Sequence, residues 1–126
     1  MVVLDTSILI DFLRRPKSDD SQLIQFNRLH PTEKIAISIL TIQELYSGQS
    51  SKDGNKEQLF LKVVNKCEIL PYTYEIARLA GELVRDIKSS LGFPDAAIAA
   101  TTILNKAKLL TLNKKDFHRI NGLKLI

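Results

Sequence analysis

An α/β domain built on a mostly parallel sheet is what three features of this sequence predict. Short β-branched or leucine-rich runs alternate with longer helical stretches, which is the pattern of βα units. The runs, such as Val2-Val3-Leu4 and Ile35-Ala36-Ile37, are apolar throughout, as in strands covered on both faces. The chain has 126 residues, 44% hydrophobic and 25% charged, enough for one domain that buries about two-thirds of its unfolded surface. We expect residues 1–126 to form that one domain, with right-handed crossovers.

The elements follow in order. Val2-Val3-Leu4 opens as a strand and ends at Asp5-Thr6-Ser7, which offers helix caps to Ile8–Leu13. Pro16 closes that helix, because the residue before proline avoids the helical region. Asp19-Asp20-Ser21 caps a second helix to about Leu29. Lys34–Ser38 reads as a buried strand, and a helix from about Leu40 carries Ile42, Leu45 and Tyr46 up to Gly48. Ser50–Asn55 is polar and reads as a mobile loop. Leu59, Phe60, Val63 and Val64 share one helical face, and Glu68–Pro71 reads as a short strand. Ile76, Leu79, Ala80, Leu83, Val84 and Ile87 give the clearest amphipathic helix. Gly92-Phe93-Pro94-Asp95 is a break and a helix start, with Pro94 near the first helical position. The alanine-rich helix Ala96–Asn105 is thin enough to pack closely on a sheet. Lys108–Thr111 reads as a strand, Lys114–Arg119 as a helical turn, and Leu123–Ile126 as a last strand.

Composition excludes several classes. No apolar run approaches the ~20 residues of a membrane helix. Asp5 interrupts the apolar start and no basic segment precedes it, so a signal peptide is not expected and the protein reads as cytoplasmic. One cysteine, Cys67, makes neither an internal disulfide nor a thiolate metal site, and it reads as a small buried hydrophobe. The 18 Lys and Arg outnumber 14 Asp and Glu, a net charge of +4, which is compatible with a nucleic-acid partner.

The acids carry more information. Ligands of parallel sheets bind at the carboxyl ends of the strands. Asp5 lies just past the first strand, Glu44 in the first turns of the helix after the second, and Asp116, with Asn113, just past the fourth. All three can converge on one edge. Asp95 starts a helix that precedes the fourth strand; on the view that such a start lies on the opposite side, spacing does not place it with the others. Each acid alone has a plainer explanation: Asp5 as an N-cap, Asp95 as a complement to a helix dipole worth ~0.3–1 kcal/mol, Glu44 as an exposed helix residue, Asp116 as a turn cap. Asp19, Asp20, Asp53, Asp86, Glu57 and Glu82 read as caps or solvated faces.

Convergence would change the physics. Two unit charges 4 Å apart repel by about 4 kcal/mol at an effective dielectric of 20. Several carboxylates in one partly buried pocket must therefore take up protons or share a cation. An all-oxygen set suits Mg²⁺ or Mn²⁺, whose usual work is to bind a phosphodiester oxygen and activate water. Thr6, Ser7, Thr111 and Asn113 are placed to hydrogen-bond such carboxylates.

The chain resembles the PIN-domain ribonucleases of the VapC toxin family. The resemblance rests on Val2–Ser7, Ser38–Gly48, Pro94–Thr101 and Leu110–Phe117, in the family's order and spacing over nearly the whole chain. It implies a three-layer α/β/α fold. It also implies a Mg²⁺ or Mn²⁺ site made by Asp5, Glu44, Asp95 and Asp116, with Thr6 and Asn113 in support. The activity implied is endonucleolytic cleavage of RNA by the toxin of a toxin–antitoxin pair, acting as a homodimer with a small antitoxin as partner. His30 and His118 have no part in that chemistry. Arg14, Arg15, Lys114, Lys115 and Arg119 are candidate contacts to the RNA backbone, with Lys17 beside the first pair and Lys106 and Lys108 beside the second group. Two other functions fit some of the same residues. One is a PIN module that binds RNA without cutting it. The other is an aspartyl-nucleophile phosphatase, against which Ser7 counts, because that chemistry wants a second acid two residues after the first.

Overall fold

The computed structural model describes residues 1–87 and 91–126. Five strands form one sheet: β1 Val2–Leu4, β2 Ile35–Ser38, β3 Glu68–Leu70, β4 Lys108–Leu110 and β5 Lys124–Leu125. Their spatial order is β3-β2-β1-β4-β5 and every pairing is parallel. The helices are α1 Thr6–Arg14, α2 Gln22–Leu29, α3 Ile39–Ser47, α4 Gly54–Val64, α5 Tyr74–Asp86, α6 Phe93–Leu104 and α7 Lys114–Phe117.

The central strand shows why the fold has three layers. Successive side chains of a strand point to opposite faces. Val2 and Leu4 accordingly join Ile8, Leu9, Leu23, Phe26 and Phe60 in a core under α1, α2 and α4. Val3 joins Ala36, Leu109, Ile98, Ala99 and Phe117 in a core on the other face, under α6 and α7. All three β1 residues are buried. The small side chains of α6 let it lie close against the sheet and still receive α5 on its outer side, where Ile76 and Ala80 meet Ala96 and Ala100.

Boundaries differ from the sequence reading mostly by one or two residues, as expected where ends fray. Ser50–Asn55 differs in kind. Gln49–Lys52 forms a 3₁₀ turn and Gly54 already belongs to α4. The Asp53 carboxylate accepts the N–H groups of Asn55 and Lys56, a capped helix start in place of the expected mobile loop.

The start of α6 is the correction with the larger consequence. Ala107 N–H donates to the Thr102 carbonyl and Lys106 N–H to that of Ile103, the paired bonds of a Schellman turn. A helix joined so tightly to the next strand runs antiparallel to it. Its first residues therefore return to the carboxyl edge of the sheet, and Asp95 stands on the same edge as Asp5. The expectation that this helix start lies on the other side is overturned by that simple reversal.

Candidate active site

Asp5 is 2% exposed and sits at the N-cap position of α1, yet its side chain caps nothing. Its Oδ2 accepts two hydroxyl protons instead, from Ser7 Oγ at 2.6 Å and Thr111 Oγ1 at 2.7 Å. No donor among the described residues takes Oδ1. The Thr111 hydroxyl also accepts the N–H of Asn113 at 2.9 Å, so the chain just past β4 is drawn into the same network. Buried hydroxyls of this kind fix a carboxylate in one rotamer. The capping explanation for Asp5 falls with this geometry.

Glu44 reaches the edge from the middle of α3. Ser38 caps that helix through its own Oγ, which sets where Glu44 falls. Thr6 Oγ1 donates to Glu44 Oε1 at 2.7 Å and stands 3.4 Å from the hydroxyl of the fully buried Thr41. Thr41 has the spacing of a helical neighbour of Glu44, three residues earlier, and the sequence reading passed over it.

Asp95 records what these acids do to one another. Its carboxyl is pushed up to about 6, first by burial and then by the negative charges of Asp5, Glu44 and Asp116. Side chains from three separated segments thus act on one carboxyl. Asp116 contributes from an exposed position at the rim, on α7. Among the described residues none of the four acids has an ion-pair partner, whereas Asp11, Asp19, Glu33, Glu68, Glu82 and Asp86 all do. Among the described residues no group of three His, Cys, Asp or Glu side chains is gathered tightly enough to hold an ion as it stands. Asp5, Glu44 and Asp116 act on Asp95 through longer-range fields.

This donor set fits a hard divalent cation. It is all oxygen, Asp5 and Glu44 are held in place by hydroxyls, and among the described residues no cation of the chain pairs with any of the four.

The remaining candidates are scattered. Arg15 donates from Nε and Nη2 to the buried Asp11. Exposed Arg14 lines a cleft with Ser7 and Asn113. Lys114 and Lys115 are exposed on α7. Arg119 lines a separate cleft with Glu82 and Asp86, and Lys106 and Lys108 lie at the opposite end of β4 from Asp116. Lys106 and Lys108, expected beside Lys114, Lys115 and Arg119, are therefore at a different edge from Lys114 and Lys115. His30 stacks on Phe26, and exposed His118 meets the Lys115 carbonyl through Nδ1. Burial raises the Cys67 thiol to about 11, which suppresses the thiolate.

A parallel α/β/α sheet with hydroxyl-held acids on its carboxyl edge defines a PIN-like domain. The PIN domain family profile matches residues 2–123. Ribonuclease VapC1 of Rickettsia felis is 31% identical over 134 residues, covering 99% of this chain and 94% of the relative. Ribonuclease VapC2 of the same organism is 32% identical, covering 96% and 92%. Among solved structures, VapBC2 from Rickettsia felis bound to a DNA fragment from its promoter superposes with a TM-score of 0.79 at 30% identity, covering 100% of this chain and 98% of the other. A toxin–antitoxin complex from Klebsiella pneumoniae gives 0.76 at 29% identity, covering 100% and 96%. The chain belongs to the PIN-domain family and, within it, to the VapC ribonucleases.

Proposed function

We propose that this chain, as one PIN unit over residues 1–126, is a cytoplasmic endoribonuclease dependent on Mg²⁺ or Mn²⁺, the toxin of a toxin–antitoxin pair. The observation that carries the reading is the raised carboxyl of Asp95 under the combined charge of Asp5, Glu44 and Asp116, with no ion-pair partner among the described residues to offset it. Asp5, Glu44, Asp95 and Asp116 would hold the ion, Asp5 and Asp95 foremost. When bound, such an ion neutralises phosphate charge and lowers the pKa of a water for in-line attack.

The chain's own residues supply the rest. Ser7 and Thr111 hold the Asp5 carboxylate by one oxygen and leave the other without a donor among the described residues. Thr6 orients Glu44 in the same way through Oε1. Asn113 supports the site through its backbone, by fixing Thr111. A carboxylate of the set takes the proton of the attacking water. The Ser7 hydroxyl is engaged with Asp5 and is no acid, so the second proton-transfer group of a phosphatase is missing there.

Similarity to VapBC complexes supports a small antitoxin as partner; the homodimer is what the family resemblance implies. The test is cut-site mapping in total RNA after controlled expression, wild type beside Asp5→Asn. Discrete new 5′ ends that need Mg²⁺ or Mn²⁺, vanish with chelator and are missing in Asp5→Asn are expected. RNA cleavage by Asp5→Asn at the wild-type rate refutes the site.

A further inference from the structure

Beside the acids lies a cleft of about 450 Å³, lined among others by Ser7, Ile10, Arg14, Leu112 and Asn113. That volume is within the usual range for a small-ligand site, about 300–1,000 Å³. Two features make its chemistry specific. Ile10 and Leu112 are 40% and 48% exposed, an apolar pair left in solvent next to a charged centre. Arg14 is exposed and, among the described residues, has no ion-pair partner. Its neighbour Arg15 is committed to buried Asp11 and cannot move freely to a ligand.

The cleft is wired to the acids through one side chain. Ser7 Oγ donates to Asp5 at 2.6 Å and accepts the N–H of Leu112 at 3.2 Å. Whatever rests on Leu112 is thus one hydroxyl away from Asp5. An exposed cation, an exposed apolar shelf and the amide of Asn113 match the parts of a nucleotide: an anionic phosphate, a flat apolar face and a hydrogen-bonding edge. A paired base has its faces covered by its neighbours in the stack and cannot reach such a shelf. An unpaired one can.

We propose that this cleft is a subsite for one unpaired nucleotide flanking the scissile phosphate of RNA, with Arg14 on its phosphate and Ile10 and Leu112 against its base. It deepens, and rests on, the nuclease reading above.

The test is binding of a fluorescein-labelled, mixed-sequence 12-nucleotide RNA to the full chain in chelator, where nothing is cut. Arg14→Gln is expected to weaken binding about tenfold and to lower the slope of log affinity against log salt by about 0.7, one phosphate contact on a single strand. Arg14→Lys should keep the slope. Leu112→Ser is expected to weaken binding about fivefold with no change of slope, and Leu112→Met to restore it. A 12-mer made abasic at successive positions should lose affinity at one position with wild type and lose nothing further with Leu112→Ser. Variants that bind within twofold of wild type, an unchanged slope in Arg14→Gln, or preference for DNA of the same sequence each overturn the subsite. Cleavage of total RNA separates the two ideas. Intact variant-sensitive binding without any cleavage sinks the nuclease and leaves the subsite standing. Intact cleavage with insensitive binding does the reverse.

Discussion

Two carboxylates near the ends of α1 and α6 have opposite fates. Asp11, near the end of α1, is 5% exposed. Burial alone would raise its carboxyl, but the Gln22 N–H and the Arg15 guanidinium outweigh that and hold it below the usual range. Asp95, at the start of α6, has burial and three like charges acting in one direction, and it rises to about 6. The first arrangement is complete in itself and ties α1 to α2. The second has no ion-pair partner among the described residues. An acid with its compensation built in is structure, and one without it is a candidate site.

Breaking the uncompensated set should have the largest effect. Asp5→Asn and Asp95→Asn are each expected to lower kcat/KM for RNA cleavage by about 10³-fold or more, the loss of several kcal/mol of transition-state stabilisation. Far-UV circular dichroism should be unchanged. Turnover within tenfold of wild type would refute their assignment.

Breaking the compensated pair should cost stability. Asp11→Ala removes the acceptor of Gln22 N–H and of Arg15, and is expected to lose about 1–3 kcal/mol in denaturant unfolding. A loss below about 0.5 kcal/mol would mean that Asp11 is not the clamp its geometry suggests.

The comparison sharpens when stability is read against pH. Because Asp95 is raised in the fold, the folded state holds the extra proton between the unfolded value, near 3.8, and about 6. Its contribution to stability is therefore present in full below about 4 and is lost as pH rises through 6. In chelator at pH 7.5, Asp95→Asn should be more stable than wild type by about 1–2 kcal/mol, discounted for its partial exposure. The gap should close in acid, and Mg²⁺ should raise the Tm of wild type more than that of the variant. For Asp11 the sign is opposite: its contribution is present above the unfolded value and fades in acid. Equal pH profiles for Asp95→Asn and wild type would remove the electrostatic argument for the site.

The smallest expected effect is at the other end of α6. Lys106 turns the chain with φ +53°, a left-handed conformation more natural to glycine. Lys106→Gly should stabilise by up to about 1 kcal/mol in thermal unfolding. No gain would show that the turn carries little strain.

Much of this was legible in the residues. Apolar strands alternating with helices fix a parallel sheet, because only strands covered on both faces are apolar throughout. Asp5, Glu44 and Asp116 follow from the rule that loops after parallel strands share an edge. Asp95 did not follow, because its helix reaches that edge by running back from β4, and no local pattern reports the direction of a packed helix. Thr41, the Ile10–Leu112 shelf and the separation of Arg14 from Arg15 were hidden for a similar reason.

The sequence by itself determined the class of fold, the order of the strands' segments along the chain and the supply of acids, since periodicity and composition are properties of the chain alone. Only the tertiary structure decided which acids share a field, which hydroxyls hold them and which arginine pairs with Asp11. Those are distances between residues such as Asp5 and Thr111, more than a hundred positions apart, and electrostatic and hydrogen-bond energies depend on such distances through space.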